Sequence, residues 1–170
     1  MLQPADDTTD TGFASAADVA DILSIMRQGA AWMVAKGCPA WEVSSLTPQM
    51  AAPFIERSEF LVARARGEVV GCCTLTRTDP DFWPDDPPGF AVYIHKLAVR
   101  RSFAGGRVTE RLVAHSLDLA RAWGCQALRL DCHPILHAVY ERLGFTYVDT
   151  RNVTVVDGRT LVVDRFEIGL

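Results

Sequence analysis

No apolar run in this chain approaches the roughly 20 residues that cross a bilayer, so no membrane partner is expected. The opening Met1-Leu2-Gln3-Pro4-Ala5-Asp6-Asp7 lacks the basic and apolar regions of a secretory signal. Residues 1–12 read as a flexible polar leader, and residues 13–170 as a single domain. Positive charge is also scarce. Seventeen Lys and Arg against 21 Asp and Glu leave a net charge of −4, which removes the broad electrostatic case for nucleic acid. No C-x-x-C pair and no His/Cys cluster has zinc spacing, so no metal ligand is assigned. The five cysteines, Cys38, Cys72, Cys73, Cys125 and Cys132, are an odd set, and neighbours Cys72 and Cys73 would point to opposite faces of a strand. They read as reduced core thiols of a cytoplasmic protein. Repeats, linkers and low-complexity tracts are missing too.

What is present is one well-patterned core. At 170 residues, 49% hydrophobic and 22% charged, the chain is large enough to bury it. Residues 17–35 carry Val19, Ile22, Leu23, Ile25, Met26, Ala30 and Met33 at helical spacing, and Gly37-Cys38-Pro39 stops the run. Thr47-Pro48 supplies an N-cap and an N1 proline for a helix to about residue 57. Residues 60–65 and 69–76 read as strands joined in a hairpin at Arg66-Gly67. Residues 79–89, with four prolines and four aspartates, must be an exposed loop. A strand over 93–99, a helix over 108–123, a strand over 127–132 and a short helical segment ending at Phe145 follow. Strands over 146–154 and 160–168 flank the hairpin turn Asp157-Gly158. This order predicts a mixed sheet covered on both faces, its strand–helix–strand part parallel and right-handed.

One stretch carries the chemistry. The strand Tyr93-Ile94-His95-Lys96-Leu97-Ala98-Val99 delivers Ala104-Gly105-Gly106 to a helix start. Amides there have no helical partner and lie at the positive end of the helix dipole, a place that favours phosphate. Downstream, Tyr140-Glu141-Arg142-Leu143-Gly144-Phe145 puts a phenol on a second helix. A phosphorylated cofactor with an acid nearby is the simplest reading.

Leu97-Ala98-Val99, the turn at Ala104-Gly105, the helix after it, and Leu130-Asp131-Cys132 through Tyr140–Phe145 resemble the GNAT superfamily of acyl-CoA-dependent N-acyltransferases. The resemblance runs from about residue 16 to the C-terminus, with Val69-Val70-Gly71 on the hairpin strand. It implies an α/β (α+β) fold: a mixed, mostly antiparallel sheet, a central parallel strand pair splayed around the cofactor, and helices on both faces. It also implies acetyl-CoA as acyl donor and direct transfer to a primary amine of a small molecule or peptide. In such enzymes an Arg/Gln-x-x-Gly-x-Gly/Ala turn holds the CoA pyrophosphate. Here the turn reads Ala104-Gly105-Gly106-Arg107-Val108-Thr109, with alanine at the basic or amide position and Arg107 and Thr109 in place of small residues. A positive φ at Arg107 would cost roughly 1–2 kcal/mol more than at glycine; alternatively its guanidinium pairs with a phosphate. His133 falls where relatives place an Asn against the pantetheine arm.

Acyl transfer to an amine needs a polarised carbonyl, a neutral amine and a protonated leaving thiolate. Leu97 and Val99 offer backbone amides for the thioester oxygen, Ala98 stands with them against the cofactor, and Tyr140 protonates the departing sulfur. His95 leads the candidates for the base, ahead of Glu42, Asp81, Asp85 and Asp86. Trp32 and Trp41 stand where the family builds its acceptor pocket, and Trp83 reads as a lid residue of the proline-rich loop. Cys132 reads as strand packing rather than a nucleophile. The other readings are a catalytically silent CoA-sensing or protein-binding module, and acylation of a nucleic acid through a cluster of Arg100, Arg101, Arg107 and Arg111. An exposed strand edge near the C-terminal hairpin makes a homodimer a further expectation.

Overall fold

Seven strands lie in the order β1-β2-β3-β4-β5-β7-β6 in a computed structural model that describes residues 9–39 and 41–170. They are β1 (Asp10–Phe13), β2 (Phe60–Ala65), β3 (Glu68–Thr76), β4 (Ala91–Val99), β5 (Ala127–Cys132), β6 (Thr146–Thr154) and β7 (Thr160–Gly169). The α-helices among the described residues are α1 (Val19–Ala35), α2 (Pro48–Glu56), α3 (Val108–Ala122) and α4 (His137–Arg142). β4 and β5 pair in parallel; the β1–β2, β2–β3, β5–β7 and β6–β7 ladders are antiparallel. The predicted mixed, mostly antiparallel sheet is present.

The chain forms two compact units. One comprises the described residues through Thr74 together with Lys96–His115, the other Leu75–His95 with Ser116–Leu170. Their boundaries fall inside β3, β4 and α3, so no linker composition marks them. The leader is shorter than expected. Residues 10–12 belong to β1, which pairs from Asp10↔Arg64 to Phe13↔Leu61, and the Thr11 hydroxyl meets His115 Nδ1 at 2.7 Å. Residues 1–8 of the leader lie outside the described residues.

In the first unit, Ile22, Ile25, Met26 and Ala30 of α1 pack on Phe60, Val62 and Cys72. The Thr47 hydroxyl accepts the Met50 amide at 3.3 Å, the N-cap that its sequence foretold. The opposite face of β3 meets the start of α3 at Gly71, where a Cβ would lie 2.6 Å from Val108 Cγ1 and 3.2 Å from Leu112 Cδ1. Only glycine lets the strand and helix approach this closely. Gly71→Ala is therefore expected to destabilise the protein by about 1–3 kcal/mol through overpacking. Urea unfolding checks it, and an unchanged midpoint would mean that α3 yields without strain.

In the second unit, the parallel ladder runs from Ala91↔Ala127 to Ile94↔Leu130 and ends there. Two residues on, in the first unit, Lys96 takes φ 53°, a left-handed conformation that a non-glycine residue adopts only at a local energetic cost.

Candidate active site

The phosphate turn belongs to the first unit. Beyond β4 the chain makes a 3₁₀ turn at Arg101–Phe103, and then Gly105 takes φ 78° with open space where a Cβ would stand. Arg107 is not among the residues at positive φ, so the strain weighed from the sequence does not arise. Its side chain is 63% exposed and lies 3.6 Å from Glu110. The Ala104 amide donates to Arg101 O and the Gly106 amide to Phe103 O. These two turn amides are therefore closed internally, contrary to the expectation that they grip the cofactor. Among the described residues the amides of Gly105, Val108, Thr109 and Glu110 have no backbone acceptor. They stand at the positive end of the 15-residue helix α3, a donor set that suits a diphosphate.

The second unit holds the titratable cluster. His95 Nε2 lies 3.1 Å from Asp79 Oδ2, and His95 Nδ1 lies 3.7 Å from Asp131 Oδ1. Both carboxylate oxygens are buried and accept no hydrogen bond; the His95 ring nitrogens lie within ion-pair distance of them. Asp79 Oδ1 accepts the Phe82 amide at 3.3 Å, which turns Oδ2 toward the histidine. Burial pushes the Asp131 carboxyl up to about 6, with Asp79 adding to the shift and His95 and Arg165 opposing it. Tyr140, on α4, is 8% exposed and packs edge-on against Phe145 at 6.0 Å and tilted against Phe166 at 5.9 Å. His133 is exposed, and its Nδ1 accepts the Ile135 amide as an N-cap. That leaves Nε2 for any ligand.

The acetyltransferase (GNAT) family model matches residues 30–145, more than half of the chain and all of the turn, both strands of the parallel pair and α4. The chain belongs to the acetyltransferase (GNAT) family. Among its relatives, an uncharacterized protein in sul1 3'region of Escherichia coli is 45% identical over 67 residues, 39% of this chain and 86% of that protein. The uncharacterized N-acetyltransferase YesJ of Bacillus subtilis (strain 168) is 24% identical over 145 residues, 77% of this chain and 78% of its own. A similar solved structure is yncA from Salmonella typhimurium with its cofactor acetyl-CoA, at TM-score 0.73 and 20% identity, covering 96% of this chain and 95% of that one.

Within this GNAT chain, several side chains are employed differently from the sequence expectation. Trp83 is not a lid. It is 4% exposed, with the guanidiniums of Arg129 and Arg165 on its ring at 4.2 Å each. Arg165 also donates to Asp149 and to Phe82 O, and that pairing holds the Asp149 carboxyl down at about 2. Trp41 packs against Gly29 and the α1 core, while Lys36 and Arg101 approach the Trp32 ring at 5.9 and 5.0 Å. Among the base candidates, Asp86 is committed to the Tyr93 hydroxyl at 2.5 Å and to Arg129, and Glu42 is exposed beside Ser44. Burial pushes the Cys132 thiol up to about 12, with Asp164 and Asp131 adding to it, so it is inert as a nucleophile.

Sequence reasoning missed Asp79 and Asp131 as partners of His95. A signal for Asp131 existed. Tyr93 is in register with Arg129, so the residues two further along each parallel strand, His95 and Asp131, share a face. Asp79 arrives from a loop and carried no such mark.

Proposed function

We propose that this protein is an acetyl-CoA-dependent N-acetyltransferase whose acceptor is a primary amine of a small molecule or peptide. The observation that carries the reading is the unsatisfied amide set at Gly105 and Val108–Glu110 in a chain of this family. Those amides hold the donor's diphosphate, and Arg107 supplies a positive charge beside them. Nε2 of His133 contacts the pantetheine arm. When bound, the donor supplies an activated thioester; everything else falls to the protein. The amides of Leu97 and Val99 polarise the carbonyl. His95 takes the ammonium proton, and the carboxylates of Asp79 and Asp131 stabilise the imidazolium so formed. As the C–N bond forms and the C–S bond breaks, Tyr140 gives its phenol proton to the leaving sulfur and regains one from the amine nitrogen, which sheds two in all, the first to His95. The Trp32 and Trp41 region remains the proposed acceptor wall, with the Trp32 ring already approached by two cations.

Two measurements test this. Calorimetric titration with acetyl-CoA should show one site per chain, and a panel of amines should then release free CoA thiol. No binding would sink the donor assignment; binding without thiol release from any amine would favour a sensor. Gly105→Val puts a β-branched residue at φ 78°, and the strain of about 1–2 kcal/mol should weaken CoA binding about tenfold. Unchanged affinity would place the phosphates elsewhere.

Unbridged thiols, four of the five buried, fit a reducing compartment such as the cytoplasm, and no helix among the described residues is long and apolar enough to cross a membrane. The end strand β6 exposes Tyr147 and Val148, which suits a homodimer through that edge; sedimentation velocity reads it directly.

A further inference from the structure

We propose that Asp79, His95 and Asp131 form a binding site for a divalent first-row transition cation. One carboxylate oxygen from each aspartate and one ring nitrogen of His95 lie within 4.8 Å of one another. Ligand atoms about 2.1 Å from a common ion stand about 3.0–3.4 Å apart in octahedral or tetrahedral arrangements. The Asp79–His95 pair is already at 3.1 Å, and rotation of the Asp131 carboxylate closes the set.

The buried oxygens are the second observation. Asp79 is 6% exposed at its side chain, yet its Oδ2 accepts no hydrogen bond, and Asp131 Oδ1 is in the same condition. Buried carboxylate oxygens without a donor are expensive, and a cation satisfies both at once. The donor set, two carboxylates and an imidazole, suits Zn²⁺ and its first-row neighbours better than Ca²⁺. The Phe82 amide on Asp79 Oδ1 fixes that ligand in the way outer partners orient metal carboxylates. Such an ion would occupy a ring nitrogen of His95, the residue proposed above as the base, so it would inhibit transfer reversibly. That consequence depends on the proposed function; cation binding does not.

Zn²⁺ is the probe, titrated calorimetrically into the full chain after treatment with EDTA. The expected result is one ion per chain and a Zn²⁺-dependent rise in Tm. Asp79→Asn and Asp131→Asn should each weaken binding at least about tenfold, and His95→Ala should abolish it. Cys38→Ser and His137→Gln should leave it unchanged. Co²⁺ should give visible d–d bands that Asp131→Asn removes. Circular dichroism in EDTA verifies that each variant is folded, and the two near-isosteric asparagine variants serve if His95→Ala is not. Absence of stoichiometric binding up to about 100 μM Zn²⁺ overturns the proposal. So does affinity that survives in all three site variants, which marks an adventitious ion only. Failure of acetyl-CoA to bind would sink the transferase reading and leave these outcomes untouched.

Discussion

Tyr140→Phe is expected to lower kcat by about 10²–10³-fold while CoA affinity stays within about twofold of wild type. The substitution removes one oxygen and keeps the ring, so the contacts with Phe145 and Phe166 persist. The loss should therefore reflect proton delivery rather than packing. A phenol near ~10 is a weak acid, but a departing thiolate near ~8.5 is only slightly less basic, so the transfer must be concerted with bond breaking. That relation gives a sharper readout than a single rate. Donors whose thiols are more acidic need less protonation, so the ratio of wild-type to variant kcat should shrink as leaving-thiol pKa falls. A constant ratio across donors would mean that Tyr140 positions something, and an unchanged kcat would remove it from the chemistry.

The sequence was legible wherever structure is decided locally. Thr47-Pro48 starts α2 and the side chain caps it; β5 and β6 occupy the spans that periodicity indicates. The family resemblance was equally local, since the turn, the helix after it and Tyr140–Phe145 lie within one contiguous stretch that the GNAT model also matches. What could not be read depends on partners distant in sequence. Asp10-Thr11-Gly12-Phe13 has little intrinsic strand character, and becomes β1 because β2 offers it a ladder. Trp83 looked like a loop aromatic with nothing to bury it. Its burial requires Arg129 from β5 and Arg165 from β7, and neither spacing nor composition announces that pairing. Arg107 illustrates the reverse. The motif comparison flagged strain there, but the backbone puts its left-handed residue at Gly105 and leaves Arg107 in ordinary conformation.

The largest pH-dependent effect is expected from His95→Asn. Asparagine has an amide donor for the flanking carboxylates but cannot take up a proton, so it separates base chemistry from local packing. At pH 7 an alkylamine acceptor with pKa ~10.4 is neutral only about once in two thousand molecules. Without the base the variant must wait for that fraction, and kcat/KM should fall by about 10²–10⁴-fold. The free amine grows about tenfold per pH unit below its pKa. The variant's log kcat/KM should therefore climb with pH at a slope near one, while the wild type levels off once its base is deprotonated, and the two curves should converge at alkaline pH. An α-amino acceptor near ~7.7 should show a much smaller deficit at pH 7, because far more of it is already neutral. Parallel profiles offset by a constant would assign His95 a positioning role beside Asp79 and Asp131. Identical profiles would move the base elsewhere, to Asp131 first, whose desolvated carboxyl, held up at about 6, is within reach of the same proton.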